Sequence, residues 1–344
     1  MKDKKKDLSY LLQKEVLAQK IYELDLLDRK AITYMKDKYI QDTLFTLRFL
    51  SSSLHVEEPL VFVNFMKWFG ELAYHLKFNI ESMKSHFEAS HQIFESVFDN
   101  ETYKLISEYY QKGVNSFIDS FSNSQFYNIE IDEFLEYLLS MESDKAYQYV
   151  IDKVEEGFDL KKVYLDILQP TLYKVGELWK QRIISVAKEH YITAVIQHII
   201  GKLYSILFTE KAGSGYSITP VCVGDELHEI GMRMVADFFE LSGWDSVFLG
   251  SNIPNQMIIE QLLDKKTNVL AVSATTPAHL LDINDLIHTI KNHSELKNII
   301  IMVGGRVFNE TPNLWKQIGA DAFAMDANQA VILADLLMEE RYES

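Results

Sequence analysis

A single loop holds the residue types that metal binding needs. It reads GDELHEIG at positions 224–231 and follows a short apolar run. A histidine in such a loop can present one ring nitrogen to a metal, while the carboxylate of Glu226 hydrogen-bonds the other nitrogen of His228 and fixes its tautomer. Gly231 would let a bulky ligand approach the start of the next helix. Taken alone, the loop is more often explained as a surface histidine among acidic neighbours.

Two further groups follow this loop at long intervals. Positions 232–272 separate Gly231 from Ser273 and Thr275, and positions 276–303 then lead to Gly304 and Gly305. The serine and threonine offer hydroxyl groups, and the glycine pair leaves a slot without side chains. A small phosphate ligand would not need three separated loops. The spacing therefore predicts a long ligand threaded along the structure.

The elements that must position these loops alternate in type. Short apolar runs rich in β-branched residues occur at 218–223, 246–249, 269–273, 299–303 and 322–325. Helical segments are predicted at about 229–241, 255–264, 279–291, 313–318 and 327–338. Five buried strands alternating with helices predict an α/β fold with a parallel, doubly wound, flavodoxin- or Rossmann-like sheet. Such sheets bind ligands at the carboxyl ends of their strands, where the three groups are expected.

The chain before this region has a helical pattern throughout. Only two of the fourteen glycines fall in the first 150 residues, whereas seven lie in 217–344. The polar stretch SFSNSQFY at 120–127 and the segment KAGSGYS at 211–217 are typical of linkers. We therefore expect three domains: an all-helical one over 1–125, a second helical one over 126–212 and the sheet domain over 213–344.

The composition excludes several classes of protein. The chain has 344 residues and a formal net charge of -16, which disfavours a protein that binds nucleic-acid phosphates. Its one cysteine, Cys222, excludes an intrachain disulfide and a cysteine-based zinc site within the chain. No stretch approaches the length of a membrane span, and the charged start MKDKKKDLSY lacks the apolar core of a signal peptide. These features predict a soluble cytoplasmic protein.

The three spaced groups resemble the signature of the cobalamin-binding domain of methionine synthase, corrinoid methyl carriers and cobalamin mutases. That signature is Asp-x-His-x-x-Gly, then Ser-x-Leu, then Gly-Gly, separated by intervals close to those of this chain. Here Glu226 replaces the aspartate and Thr275 the leucine. The resemblance implies that His228 is the lower cobalt ligand, displacing the cofactor's dimethylbenzimidazole, and that the nucleotide tail enters between Ser273 and Gly304. It assigns cofactor binding to Glu226, Leu227, His228, Gly231, Ser273, Thr275, Gly304 and Gly305.

The second helical region carries a motif of its own. Trp179 is followed, after positions 180–188, by Glu189 and His190. This arrangement resembles the adenosylcobalamin-dependent photoreceptor repressors, in which a four-helix cap covers the upper corrin face. There the tryptophan packs on the adenosyl group, with the glutamate and histidine close to it. The resemblance adds these three residues to the cofactor site, although Lys180 stands where those repressors often have a second histidine.

The first helical region loosely resembles the globin-like modules of photocobilins, sensors that combine cobalamin with a linear tetrapyrrole. The likeness rests on its length, its helicity and the segment VFVNFMKWFGELAYHL at 61–76. It implies a non-covalent tetrapyrrole such as biliverdin, which His75, His86 and His91 could contact. Three ordinary surface histidines remain the alternative. Because Cys222 belongs to the other end of the chain, a covalent bilin is not expected.

Two functions follow from these patterns. The first is an adenosylcobalamin-binding regulator, a light sensor in which photolysis of the cobalt–carbon bond alters contacts between domains or with a partner. The alternative is a corrinoid protein that carries a methyl group for a methyltransferase. A mutase would need a TIM barrel, which the helical region 1–125 cannot form, and no nucleophile elbow, catalytic triad or phosphate loop is present. We therefore expect that the protein is not an enzyme. We also expect that it forms a homo-oligomer or binds an unidentified protein partner.

Overall fold

The computed structural model describes residues 14–28, 36–207 and 213–343. Contacts divide the chain into two compact units. One comprises residues 1–124 with Thr276–Asn284, and the other comprises residues 125–275 and 285–344. The polar N-terminus and the start of the segment at 211–217 lie outside the described residues.

Five helices of the first unit lie in the described part of residues 1–124. They are α1 (Lys14–Asp28), α2 (Lys36–His55), α3 (Pro59–His75), α4 (Ile80–Val97) and α5 (Asn100–Asn123). Two glycines lie where α3 and α5 pack against each other. A Cβ atom on Gly113 would come within 2.4 Å of the Phe62 ring, and one on Gly70 within 2.2 Å of the Ser120 hydroxyl. The glycines of this helical region therefore permit close helix packing rather than turns.

The second unit begins with a four-helix cap, in agreement with the prediction. Its helices are α6 (Glu133–Leu139), α7 (Ser143–Glu155), a third made of α8 (Leu160–Lys162), a π-helical turn (Val163–Leu168) and α9 (Gln169–Lys180), and then α10 (Val186–Leu207). Aspartates start two of these helices. Asp132 accepts a hydrogen bond from Leu135 N, and Asp159 accepts one from Lys161 N.

A parallel sheet follows the cap and confirms the predicted α/β class. Its strands are β1 (Ser217–Val223), β2 (Asp245–Ser246), β3 (Gly250–Ile253), β4 (Val269–Ser273), β5 (Ile300–Gly304) and β6 (Ala322–Phe323). They are arranged in the order β2-β1-β4-β5-β6, with β3 also paired to β1. Ser273 lies opposite Cys222 on one side and Gly304 on the other, so the predicted loops leave the sheet at one edge.

The strand expected at 246–249 differs from the prediction. The chain pairs with β1 in two short pieces, β2 and β3, and the pairing register shifts between Val221 and Val223. Gly250 starts the second piece with φ +88°, a conformation that favours glycine. The described sheet thus has six strands where five were expected.

Helices and short turns alternate with the strands along the chain. They are α11 (Ile230–Leu241), α12 (Asn255–Asp264), a 3₁₀ turn (Pro277–His279), α13 (Leu280–Asn292), α14 (Arg306–Glu310), α15 (Leu314–Gln317) and α16 (Ala327–Glu343). The sequence did not predict α14. One apolar core joins cap residues such as Ile196 to sheet-domain residues such as Phe238. The division of residues 126–212 from 213–344 into separate domains therefore stays a prediction.

Candidate functional site

The carboxylate of Glu226 organises the loop between β1 and α11. One oxygen accepts hydrogen bonds from the backbone N of His228 at 3.0 Å and from its ring Nδ1 at 2.5 Å. The other oxygen accepts the backbone N–H of Thr275 at 2.8 Å. Glu226 is only 1% exposed, so these bonds satisfy a buried carboxylate. Glu226 therefore connects the loop between β1 and α11 to the loop after β4.

Local backbone geometry explains why the loop takes this shape. Gly224 follows β1 with φ +61°, which turns the chain away from the sheet. The backbone N–H of Asn252 in β3 donates to the carbonyl of Glu226 at 3.2 Å. Because β1 lies between β3 and β4, both neighbouring strands support the loop.

The imidazole of His228 combines a fixed nitrogen with an accessible ring. Its side chain is 62% exposed, while Nδ1 is held by Glu226. That hydrogen bond raises the pKa of His228. Burial raises the pKa of Glu226, but hydrogen bonds from the His228 ring and from the Thr275 and His228 backbone outweigh it, and the pKa falls to about 2. An ionised Glu226 favours the tautomer with the proton on Nδ1, which leaves Nε2 as the nitrogen for a metal.

The glycine pair after β5 brings two loops together. Gly305 has φ +92°, and a Cβ atom there would lie 2.6 Å from both the carbonyl oxygen of Ala274 and the hydroxyl of Ser273. A Cβ atom on Gly304 would lie 3.0 Å from the carbonyl oxygen of Ala324. The space beside Gly305 is thus occupied by the neighbouring loop, whereas the sequence suggested an open slot. Protein packing alone requires these glycines, and their contact with a ligand stays a prediction.

A cavity of about 110 Å³ begins beside this glycine pair. Four residues predicted from the sequence line it: Gly231, Ser273, Gly304 and Gly305. The cap closes one side of it through the third helix, and the remaining wall comes from α11, the strand ends, α14 and the start of α16. Thr275 contributes its backbone N–H to Glu226 instead, and Leu227 is 70% exposed at the surface. In the folded chain, the spaced motif therefore lies in the two connected loops after β1 and β4 and along one adjoining cavity.

The cap places part of its motif near this loop. Glu189 accepts a hydrogen bond from the Thr193 hydroxyl at 2.9 Å and pairs with His190 Nδ1 at 2.6 Å. Its negative charge contributes to the raised pKa of His228. The same helix reaches the loop through Gln197, whose Nε2 donates to Glu229 Oε1 at 3.5 Å. Trp179 is half-buried near the end of α9, and within the described residues its side chain makes no hydrogen bond or ring contact. The tryptophan is thus not brought into a polar cluster with Glu189 and His190.

The residues that attach the cap to the sheet domain were not predicted from the sequence. The hydroxyl of Tyr164, in the π-helical turn, donates to Asp237 in α11 at 2.8 Å, and Arg233 Nε donates to the same carboxylate at 3.2 Å. Tyr164 and Asp237 are almost completely buried. Burial raises the pKa of Asp237. The only signal in the sequence was an aspartate inside the apolar helical segment 230–241.

The three histidines that could contact a tetrapyrrole, His75, His86 and His91, lie in helices of the first unit. His75 is 5% exposed, and His91 Nε2 pairs with the Ser107 hydroxyl at 2.8 Å. His86 Nδ1 pairs with the hydroxyl of Tyr39, which also donates to the buried Asp25. Contact with a tetrapyrrole stays a prediction. Burial raises the pKa of Cys222 to about 12, so its thiol is unreactive at neutral pH.

The described residues were also searched for metal-ligand clusters and for membrane-spanning helices. Across residues 14–28, 36–207 and 213–343, no group of three or more His, Cys, Asp or Glu side chains is arranged to hold a metal ion. Within the same part of the chain, no helix is both long and apolar enough to cross a membrane.

Two segments of the chain match family models described as B12 binding domains. One model matches residues 216–333 and the other matches residues 130–204. They correspond to the sheet domain and to most of the cap. The two matches together cover more than half of the chain, and they include the loop with His228.

Curated relatives share these regions. Monomethylamine corrinoid protein 1 of Methanosarcina mazei is 30% identical over 132 residues, which are 38% of this chain and 59% of the relative. The chain therefore spans about three fifths of that relative's length. A corrinoid protein of Desulfitobacterium hafniense is 23% identical over 220 residues, 60% of this chain and 97% of the relative. These relatives are corrinoid proteins rather than photoreceptors.

A solved structure shows the same fold. The monomethylamine corrinoid protein of Methanosarcina barkeri superposes with a TM-score of 0.53 at 19% identity, over 59% of this chain and 96% of that chain. The family models, the corrinoid relatives and the Glu226–His228 pair all indicate cobalamin binding. Residues 130–204 and 216–333 belong to the cobalamin-binding domain family.

Proposed function

We propose that this protein is a corrinoid carrier in which His228 would hold the cobalt through Nε2 and the bound cofactor would carry a methyl group. The observation that supports it most directly is the hydrogen bond from His228 Nδ1 to the buried Glu226. It orients the ring and leaves Nε2 for the metal. The names of the curated relatives, corrinoid proteins for monomethylamine and dimethylamine, support the methyl group.

The residues of the site fit such a cofactor. A buried carboxylate that fixes a histidine tautomer also raises the basicity of the other ring nitrogen, which favours coordination. The cavity that adjoins Ser273 and the glycine pair has an apolar interior suited to a cofactor tail. The corrinoid, when bound, would supply a cobalt centre that holds and releases the methyl group.

The chain's own residues bind and orient the cofactor in this proposal and perform no catalysis. Glu226 holds His228, the loops after β4 and β5 hold the tail, and the cap limits the access of water to the upper face. The methyl transfer itself would be performed by partner proteins. Residues 1–124 of the first unit, which precede the regions matched by the family models, are then a candidate docking module for such a partner or for a second copy of the chain.

A second candidate is an adenosylcobalamin-dependent regulator that responds to light, and one observation favours it. The cap carries Trp179 in a half-buried position, and the charge of Glu189 contributes to the raised pKa of His228. An indole above the corrin would exclude water and favour a large upper ligand over a methyl group. In this proposal the first unit would additionally hold a tetrapyrrole such as biliverdin.

One experiment separates the two candidates. The dissociation constants of methylcobalamin and adenosylcobalamin are measured by absorbance in the dark, and each complex is then illuminated with green light and analysed by size-exclusion chromatography. A carrier binds methylcobalamin at least as tightly as adenosylcobalamin and keeps its elution volume after illumination. Preference for adenosylcobalamin together with a light-dependent change in size would instead support the regulator. Failure to bind either form would contradict both.

A further inference from the structure

A short segment from the sheet region of the sequence is folded into the first unit. Residues Thr276–Asn284 come shortly after β4, but their contacts group them with residues 1–124. The segment contains the 3₁₀ turn Pro277–His279, which packs against α2 and α3. Ala278 of this turn is 8% exposed and belongs to the same apolar core as Phe62. The core of the first unit therefore includes part of a connection that leaves the sheet.

Polar groups hold the far end of the segment in the same unit. The side-chain amide of Asn284 pairs with Nε2 of His55, the last residue of α2, at 2.9 Å. Burial and the charge of Arg48 lower the pKa of Lys14 in α1, and the charge of Asp282 acts in the opposite direction. The segment is therefore held in the first unit by apolar packing, by a hydrogen bond and by a favourable charge.

The residues just before this segment belong to the candidate site. Thr275 donates its backbone N–H to the buried Glu226 at 2.8 Å. The carbonyl of Ala274 accepts the backbone N–H of Val307 at 3.3 Å. Contacts assign Thr275 to the second unit and Thr276 to the first. The bond to Glu226 and the packing in the first unit thus involve neighbouring stretches of backbone.

The connection between these two stretches is short and stiff. Only Thr276 and Pro277 separate Thr275 from the buried alanine, and a chain advances at most about 3.6 Å per residue. Thr276 is extended, with φ -117° and ψ 147°, as is usual before a proline. The ring of Pro277 fixes its own φ. A displacement of Ala278 must therefore move Thr275 or strain the connection.

We propose that the first unit positions the corrinoid loop, by holding Ala278 in its core and so keeping the N–H of Thr275 on Glu226. Glu226 in turn orients His228. Ala278 is thus a positioning residue, which acts through the backbone that follows β4. The consequence for cofactor affinity rests on the proposed function, whereas the positioning itself needs no cofactor. By linkage, a partner that binds the first unit and shifts this segment would change corrinoid affinity, and the corrinoid would change that partner's affinity by the same factor.

Variants of the segment test the proposal first in the full-length, cofactor-free chain. Ala278→Leu adds volume to a filled core around the turn. Asn284→Ala removes the pair with His55 and adds no volume. Hydrogen–deuterium exchange of the Thr275 amide is then measured by mass spectrometry of peptides that contain it. This exchange reports the bond to Glu226 directly.

Each variant has a matched control elsewhere in the first unit. Ala89→Leu adds the same volume to the same core from α4, whereas the turn packs against α2 and α3. Ser107→Ala removes a similar histidine bond, that of His91 at 2.8 Å. Urea denaturation of every variant shows whether control and segment variants lose comparable stability. A difference in Thr275 exchange between matched variants then comes from the position of the segment.

We expect Ala278→Leu to speed exchange of the Thr275 amide by about 10-fold, as for loss of one hydrogen bond, and Asn284→Ala to speed it less. Both controls should stay within about 2-fold of the wild type. The dissociation constant of diaquocobinamide, measured by absorbance, should rise about 10-fold in Ala278→Leu, as when a metal ligand loses its supporting contacts. Because diaquocobinamide lacks a nucleotide base, its spectrum also reports a protein nitrogen on cobalt, and this signal should fall only in the segment variants.

The outcomes separate this inference from the proposed function. Unchanged Thr275 exchange in the segment variants, or equal increases in the matched controls, would overturn the positioning role. Faster exchange with unchanged corrinoid affinity would overturn its link to the cofactor. If Ala278→Leu does not fold, Asn284→Ala decides by the same criteria. If the wild-type chain binds neither diaquocobinamide nor hydroxocobalamin, the proposed function fails, while faster Thr275 exchange in the segment variants alone would still support the positioning.

Discussion

The loop that carries His228 and the helix that carries Glu189 hold their carboxylates in different ways. Glu226 is 1% exposed and receives hydrogen bonds from its own loop and from the loop after β4. The side chain of Glu189 is 28% exposed, and its bonds to Thr193 and His190 stay within one helix. The first carboxylate is therefore fixed by the backbone of a sheet, and the second by neighbours on a single helix.

This difference indicates how the two sides of a corrinoid site can be specialised. If His228 holds the cobalt as proposed, a ligand held by strand ends cannot move without disturbing the sheet, so the fold would fix this ligand. The bonds of Glu189 stay within one helix, so the sheet places no such restraint on the cap side, where an upper ligand would lie in the proposed function. Variants of the two sides can test whether the sheet side is rigid and required for cofactor binding. They can also test whether the cap side influences which upper ligand is bound.

Replacement of His228 by alanine should have the largest effect. Without the imidazole, cobalt loses its protein ligand, and affinity for hydroxocobalamin should fall by more than about 100-fold, beyond the usual cost of losing a supporting hydrogen bond. The absorption spectrum of any remaining complex should shift to that of a water-ligated or base-ligated corrinoid. His288→Ala removes an exposed histidine of the same domain and should change neither. An unchanged spectrum in the His228 variant would remove this residue from the site.

Gly305→Ala tests the rigidity of the sheet side. The added methyl group would lie 2.6 Å from the carbonyl oxygen of Ala274 in a backbone conformation with φ +92°. We expect the free energy of unfolding to fall by about 2–3 kcal/mol, measured by urea denaturation. Gly176→Ala in α9 is the cap-side control, since no heavy atom lies within 4 Å of its added Cβ. Gly176→Ala should raise the free energy of unfolding by up to about 1 kcal/mol. Equal losses in both variants would contradict the expected difference in rigidity between the sheet side and the cap side.

The features that could be predicted from the sequence are those set by local pattern. Alternating apolar runs predicted the parallel sheet and its helices, and they placed Glu226 and His228 after β1 and Ser273 at the end of β4. The split into β2 and β3 could not be predicted, because it depends on a register shift against β1. The close approach of Gly305 to Ala274 joins residues of two different loops and is visible only in the folded chain.

The cap was predicted less completely for a related reason. The motif of Trp179, Glu189 and His190 marks three positions on two helices, but helix rotation and packing decide which of them approach the loop. The bond between Tyr164 and Asp237 joins residues 73 positions apart and depends on a π-helical turn. The aspartate in the apolar segment 230–241 did not identify Tyr164 as its partner, because a π-turn changes the direction of a side chain by one inserted residue.

Tyr164→Phe tests how firmly the cap is attached. The variant removes the hydroxyl that donates to the buried Asp237 at 2.8 Å and leaves that carboxylate with the Arg233 bond. The free energy of unfolding should fall by about 1–3 kcal/mol, and limited proteolysis should cut the cap faster. Tyr137→Phe removes a similar phenol–carboxylate bond at the cap surface and should cost no more than about 0.5 kcal/mol. Equal costs would show that Tyr164 does not fasten the cap.

Trp179→Ala should give the smallest effect and the most specific one. The indole is half-buried, so its removal should lower stability, and it would open space on the cap side where an upper ligand is expected. The ratio of the dissociation constants of adenosylcobalamin and methylcobalamin should therefore change by about 2- to 10-fold, the size of one aromatic contact. Trp315→Ala, which removes a partly exposed indole of α15, should leave the ratio unchanged. If Trp179→Ala also leaves it unchanged, the cap does not choose the upper ligand through this residue, and the case for an adenosylcobalamin-dependent regulator loses its main structural support.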